Sequence, residues 1–140
     1  MTTLNLYDDS ALTTLATEPL AFTQDVLGTI TPHQRRFYLG QPTTGYRFRA
    51  HSDPGVDSIE LSIVDAVPAS GQPASAIKLA TTQGGLASAT GGAALDLGAS
   101  ILSGSANAVQ IWVQFDDSTA TVATDTNISL ALNELRVDQP

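Results

Sequence analysis

Few side chains here belong to types that do chemistry, and their spacing sorts them quickly. His33 and His51 are the two imidazoles. Neither has a companion ligand at a metal-binding spacing, and no Gly-x-Ser-x-Gly elbow offers a nucleophile. Both read as loop-edge residues. Asp116, Asp117 and Asp125, with Ser118, Thr119 and Thr124 between them, offer oxygens to calcium. Their spacing is not that of an EF-hand loop, and an acidic turn between strands accounts for them. Gly84-Gly85, Gly91-Gly92 and Gly98 invite a phosphate-loop reading, but the Gly-Lys-Ser/Thr ending that brings the cation and the magnesium ligand is missing. Glu60 and Asp65 have no evident carboxylate mate, as glycoside hydrolysis requires. The chain contains no cysteine, which removes thiolate catalysis, disulfides and Cys-based zinc sites. The expectation is a non-enzymatic protein with no cofactor and no metal.

What remains is binding chemistry. Four of the six basic residues, Arg35, Arg36, Arg47 and Arg49, crowd into one short stretch beside Tyr38 and His51. Arginine over aromatic rings gains cation–π energy and is favoured at protein interfaces. Such a strip on an acidic protein suits an acidic neighbour, another copy included. Local charge balancing on a solvated strand pair is the competing account. Trp112 stands between Gln110 and Gln114, on the polar side of its strand. It is either packing within the fold or a contact residue for a partner.

These residues need strands to hold them. From Val109 to Phe115 apolar and polar side chains alternate strictly, so Val109, Ile111, Val113 and Phe115 share one face. Ser58–Ile63 alternates in the same way, with Ile59, Leu61 and Ile63 inward. So does 127–132, with Ile128, Leu130 and Leu132 inward. After Leu132 the period slips before Leu135 and Val137, which predicts a bulge or a strand crossing to another sheet. Shorter strands are expected at Phe22–Val26, closed by Gly28, at Ile77–Leu79 and around Leu95–Leu97. The residues 35–39 and 46–50 flank Pro42-Thr43-Thr44-Gly45 and read as a hairpin. That pairing sets Leu39 against Phe48 and Phe37 against Ala50 on the core side, with Tyr46 also inward. Tyr38 then faces Arg49, and Arg36 faces His51, on the outside. Glycines argue against any helix in 83–105. Seven or eight such strands predict an antiparallel β-sandwich of Ig-like or jelly-roll type.

Residues 1–20 follow no sustained period. Asp9 to Ala16 can make one capped turn, though Thr13 and Thr14 are poor helix formers. The segment is either a frayed terminus or an extended arm whose leucines, Leu4, Leu6 and Leu12 among them, order against a neighbouring subunit. The division is then an arm over 1–20 and a single sandwich over 21–140.

At 140 residues the chain is the size of one domain that can bury its own core. With 14 acidic against 6 basic residues its formal net charge is −8, a field that repels phosphate backbones and disfavours nucleic acid. No run approaches the roughly 20 apolar residues of a membrane helix, and the first residues lack the pattern of a secretory signal. The expectation is a soluble protein bound to neither nucleic acid nor membrane, and the absence of cysteine suits a product of the bacterial cytoplasm.

Four stretches carry a resemblance: Leu6-Tyr7-Asp8-Asp9-Ser10, Arg36-Phe37-Tyr38-Leu39-Gly40, Trp112-Val113-Gln114-Phe115 and Asn127-Ile128-Ser129-Leu130-Ala131-Leu132. In this order they resemble small β-sandwich virion proteins encoded in the structural gene clusters of tailed bacteriophages. The resemblance implies a structural protein of the particle, made in the host cytoplasm. It would be a capsid decoration (cement) protein first, and a tail, neck or baseplate component second. Its partners would be other virion proteins, such as major capsid or tail subunits, and further copies of itself. The low charge and the many Thr and Ser agree in kind, because a lattice subunit holds by summed contact area. The rival from another class is a carbohydrate-binding or host-adhesion module, which would use Trp112, Tyr38 and Tyr46. The interface candidates are Arg36, Tyr38, Arg47, Arg49, Trp112, Leu4, Leu6 and Leu12.

Overall fold

Strict alternation builds the first layer. The strands Val109–Phe115 and His33–Gly40 pair antiparallel from Leu39 opposite Val109 to His33 opposite Phe115. The structure is a computed structural model that describes residues 2–17, 33–116 and 127–140. The expected strand at Phe22–Val26, most of the acidic turn after Asp116, and the boundary at residue 20 lie outside the described residues.

In chain order the strands are β1 (Asn5–Tyr7), β2 (His33–Gly40), β3 (Arg47–Ala50), β4 (Glu60–Asp65), β5 (Ile77–Ala80), β6 (Leu95–Asp96), β7 (Ile101–Leu102), β8 (Val109–Phe115), β9 (Ile128–Leu132) and β10 (Leu135–Asp138). They form a four-stranded sheet in the order β1-β2-β8-β5 and two three-stranded sheets, β10-β3-β7 and β6-β4-β9. Every pairing between named strands is antiparallel. Helical structure among the described residues is confined to three short 3-10 turns, so the protein is all-β. The arrangement is that of a β-sandwich.

The core lies between the layers. Phe37, Leu39, Ile77, Leu79, Ile111 and Val113 come from the four-stranded sheet, and Phe48, Ile59, Leu61 and Ile101 face them from the other side. Ile128, Leu130 and Leu132 pack against this cluster from β9. The predicted slip after Leu132 is a change of sheet: β9 pairs with β4, and two residues later β10 pairs with β3. Asn133 secures the junction. Its side-chain oxygen accepts from the Glu60 amide at 2.9 Å, its side-chain amide donates to the Ser58 carbonyl at 3.1 Å, and its backbone N–H reaches the Glu60 carbonyl.

Two expectations need correction. The first is the hairpin. β2 and β3 do not pair; β2 lies between β1 and β8, and β3 between β10 and β7. The Gln41–Tyr46 stretch instead carries the chain from one layer to the other. It is tied to the Ser103 region, where Tyr46 N–H meets the Ser103 hydroxyl, Ser103 N–H the Tyr46 carbonyl, and Gly104 N–H the Gln41 carbonyl. Phe37 and Leu39 are buried as expected, and so are Phe48 and Ala50. They belong to different sheets of one core. Alternation says which side chains go inward, and it is equally satisfied by partners in one sheet or in two.

The second correction concerns the N-terminal leucines. β1 is the edge strand of the four-stranded sheet, and residues 14–16 return along its other side through Asp8 N–H to Thr14 O and Ala16 N–H to Leu6 O. Leu4 and Leu12 are only 8% and 3% exposed, and Leu6 packs against the core. These side chains serve the chain itself and are not free anchors for a neighbour. Leu15 alone among the described N-terminal leucines is well exposed.

Candidate functional site

The outer face of the four-stranded sheet follows from the register. With Phe37 and Leu39 inward, Gln34, Arg36 and Tyr38 must point outward, opposite Gln114, Trp112 and Gln110 of β8. β5 adds Lys78 beside Gln114 and Ala80 beside Trp112. Both ends of this face are covered by the chain. At the β1 end, Tyr7 is buried and Leu12 sits on Gly40, where an added Cβ would lie 2.6 Å from a Leu12 methyl. Leu12 holds φ at +57°, in the left-handed region that costs a residue with a Cβ roughly 1–2 kcal/mol. Asp9 shapes this turn by accepting from the backbone N–H groups of Thr13 and Thr14. At the β5 end, the 3-10 turn Gly84–Ala87 packs on β5 and β8 and buries Leu86.

Between these covers lies an arginine–aromatic cluster. The Arg36 guanidinium sits 5.4 Å from the Tyr38 ring centre and 5.7 Å from that of Trp112. Both distances lie within cation–π range. Arg36 is exposed, while Tyr38 and Trp112 are half-buried. The Trp112 indole nitrogen is shielded from solvent and has no acceptor among the described residues. An unsatisfied buried donor costs about 1–3 kcal/mol. Next to the cluster runs a row of amides: Gln83 donates to Gln34 at 2.9 Å, and Gln34 to Gln114 at 2.8 Å. Gln110 donates to the Thr81 carbonyl at 3.3 Å.

Of the predicted interface residues, the structure brings together Arg36, Tyr38 and Trp112. Arg47 and Arg49 are elsewhere, on the outer face of the β10-β3-β7 sheet in the other layer. The single basic strip is therefore split. Its two halves lie back to back because β2 and β3 face each other across the core. Arg49 is engaged by Asp138, which also takes Arg136 at 2.9 Å. The Arg49 hydrogen bond above all, with Arg136 assisting, holds the Asp138 carboxyl below the usual range despite the opposing effect of burial. Arg35 has turned away from the outer face, lying over the Phe37 ring and 3.7 Å from Asp8.

Two further carboxylates are held low by local geometry. The Gly98 N–H and then the Ser58 hydroxyl favour charged Asp96. For Asp9, burial works upward, but the Thr14 and Thr13 N–H groups together outweigh it and lower its pKa. Both act as turn-formers. His33 begins β2 and His51 lies in the exposed bend after β3. No group of three or more His, Asp or Glu suited to a metal occurs among the described residues. A concavity of about 270 Å³ opens on the flank of the sandwich and is lined by Leu4, Asn5, Leu6, Leu39, Leu61, Leu130 and Leu132. Apart from Asn5 its lining side chains are leucines, and none does chemistry.

Sequence reasoning missed Lys78 and the two covers. That Lys78 points outward follows from Ile77 and Leu79 pointing inward. Its place near Trp112 depends on β5 pairing with β8, which spacing does not reveal. No family model matches the chain, and neither does any curated protein or solved structure.

Proposed function

We propose that this protein is a non-enzymatic structural component of a bacteriophage particle that docks on neighbouring virion subunits through the outer face of its four-stranded sheet. Head decoration is the first placement, with the tail, neck or baseplate as the alternative. One observation carries the docking face. The chain covers both ends of that face with its own segments, yet leaves Arg36 exposed over Tyr38 and Trp112 between them. Large rings capped by arginine are typical centres of protein interfaces. The phage setting rests on the sequence resemblance. The carbohydrate-binding alternative loses one of its rings, because Tyr46 packs against the core at the start of β3. Arg36 lies over the two that remain.

A cryo-EM map of the source particle tests this reading. The expected result is a sandwich at every equivalent lattice position, with Trp112 facing a neighbouring subunit. A particle without the chain, or one that leaves the Trp112 face in solvent, would refute it.

A further inference from the structure

We infer that the outer face of the four-stranded sheet reads carboxylates. On this view Arg36 and Lys78 receive acidic side chains of an extended segment belonging to a different protein subunit, laid across Trp112. The inference takes its choice of face from the docking reading above, but it does not depend on the phage setting.

The distribution of charge carries it. Acidic residues outnumber basic ones 14 to 6, so a cation in this chain should readily find a carboxylate. Arg35, Arg49 and Arg136 do so, while Arg47 on the opposite sheet forms no ion pair among the described residues and keeps its Nε buried without a partner. Arg36 and Lys78 form no ion pair among the described residues, and both point from the same face of the same sheet. Between them the register places Trp112 and Gln114, both without charge. The turn over the β5 end adds Thr81, Thr82, Gln83 and Ser88, again uncharged. At the other end Asp8 is engaged by Arg35, and Asp9 already accepts from Thr13 and Thr14. From Arg36 to Lys78 the strip holds no carboxylate, Asp116 lying just past the end of β8, and this local positive strip, unlike the chain as a whole, is complementary to an acidic ligand.

The geometry selects the form of the ligand. Arg36 and Lys78 lie on strands separated by β8 and are offset along them by two residues. An extended segment presents side chains on one face at every second residue, so alternating acids can reach both cations while the backbone crosses the indole. A second copy meeting the same face about a two-fold axis would set Arg36 and Lys78 against their own equivalents. A face-to-face dimer is therefore disfavoured, and the occupant we infer is an acidic segment of another protein. The net charge of −8 opposes every polyanion, and it opposes a nucleic acid, charged at each nucleotide, more than a peptide charged at every second residue.

Trp112 is the only tryptophan, so its fluorescence reports on this face directly. The probes are an eight-residue peptide of alternating Glu and Thr, the same peptide with Gln for Glu, and a single-stranded oligothymidine of similar length. The Glu peptide should change Trp112 emission saturably, and binding should weaken as salt rises. The Gln peptide and oligothymidine should not bind. Arg36→Gln and Lys78→Gln should each weaken the Glu peptide about tenfold or more, as expected for a lost charged hydrogen bond. Arg136→Gln, which changes net charge equally on the opposite sheet, should leave binding unchanged. Circular dichroism confirms that each variant is folded. No response to the Glu peptide, an equal response to the Gln peptide or to oligothymidine, or equal loss in Arg136→Gln would each overturn the inference. Particle binding that requires Trp112 but ignores Arg36→Gln and Lys78→Gln would overturn the carboxylate reading alone and leave the docking face standing.

Discussion

Individual residues in this fold are constrained by what lies within a few ångströms of them. A Cβ added to Gly91 would sit 2.0 Å from the Ser75 carbonyl oxygen, whereas one added to Gly84 would meet nothing within 4 Å. Gly91→Ala should therefore cost about 1–3 kcal/mol by overpacking, with Gly84→Ala close to neutral, as read from urea midpoints. Asp138 makes a pH-dependent contribution. Because Arg49 and Arg136 hold its folded pKa below the unfolded value, its stabilisation is complete above about pH 4 and lost as pH falls through the folded value. Asp138→Asn should lower stability near neutral pH, and the gap to wild type should shrink in acid. A gap that persists at about pH 2 would show that packing or hydrogen bonding, and not charge, explains the residue.

At the scale of elements, the strands were readable from alternation, but their neighbours were not. Val109–Phe115, the run around Ile59–Ile63, and Ile128–Leu132 appear where their apolar periods place them, and the slip after Leu132 is a real change of sheet. The 35–39 and 46–50 runs misled because Pro42 to Gly45 suits a hairpin and an interlayer crossing equally well. The arm misled because Leu4, Leu6 and Leu12 do not share one period. Strand pairing buries part of the set, and a left-handed turn folds Leu12 back onto Gly40. Two expectations follow. Leu12→Ala should cost about 2–5 kcal/mol, as for a buried leucine, whereas Leu15→Ala should change little. Asn133→Ala should destabilise by roughly 1–3 kcal/mol, since it leaves the Glu60 N–H and the Ser58 carbonyl without their side-chain partner. Thermal or urea unfolding of the purified variants checks both. An Asn133→Ala protein as stable as wild type would mean that backbone pairing alone holds the β9–β10 junction.

For the whole molecule, the sandwich acts as a two-sided plate with unlike faces. One outer face carries Arg47, Arg49 and Arg136, the last two sharing the single carboxylate of Asp138. The other carries Arg36 over two half-buried rings, Lys78 without a carboxylate, and an indole N–H without an acceptor among the described residues. On the docking reading proposed above, this difference would orient the subunit with its Arg36–Trp112 face toward the neighbour. Trp112 was recognisable in sequence as out of place on a polar row. Its partnership with Arg36 became clear only once β2 was set opposite β8. The most direct test of the proposed phage setting and docking face is co-sedimentation of purified protein with emptied phage heads from the source, comparing wild type, Trp112→Ala and Arg136→Gln. Wild type and Arg136→Gln should pellet with the heads to saturation, while folded Trp112→Ala stays in the supernatant. Equal pelleting of Trp112→Ala, or no pelleting of wild type with heads or with any tail fraction, would contradict the account.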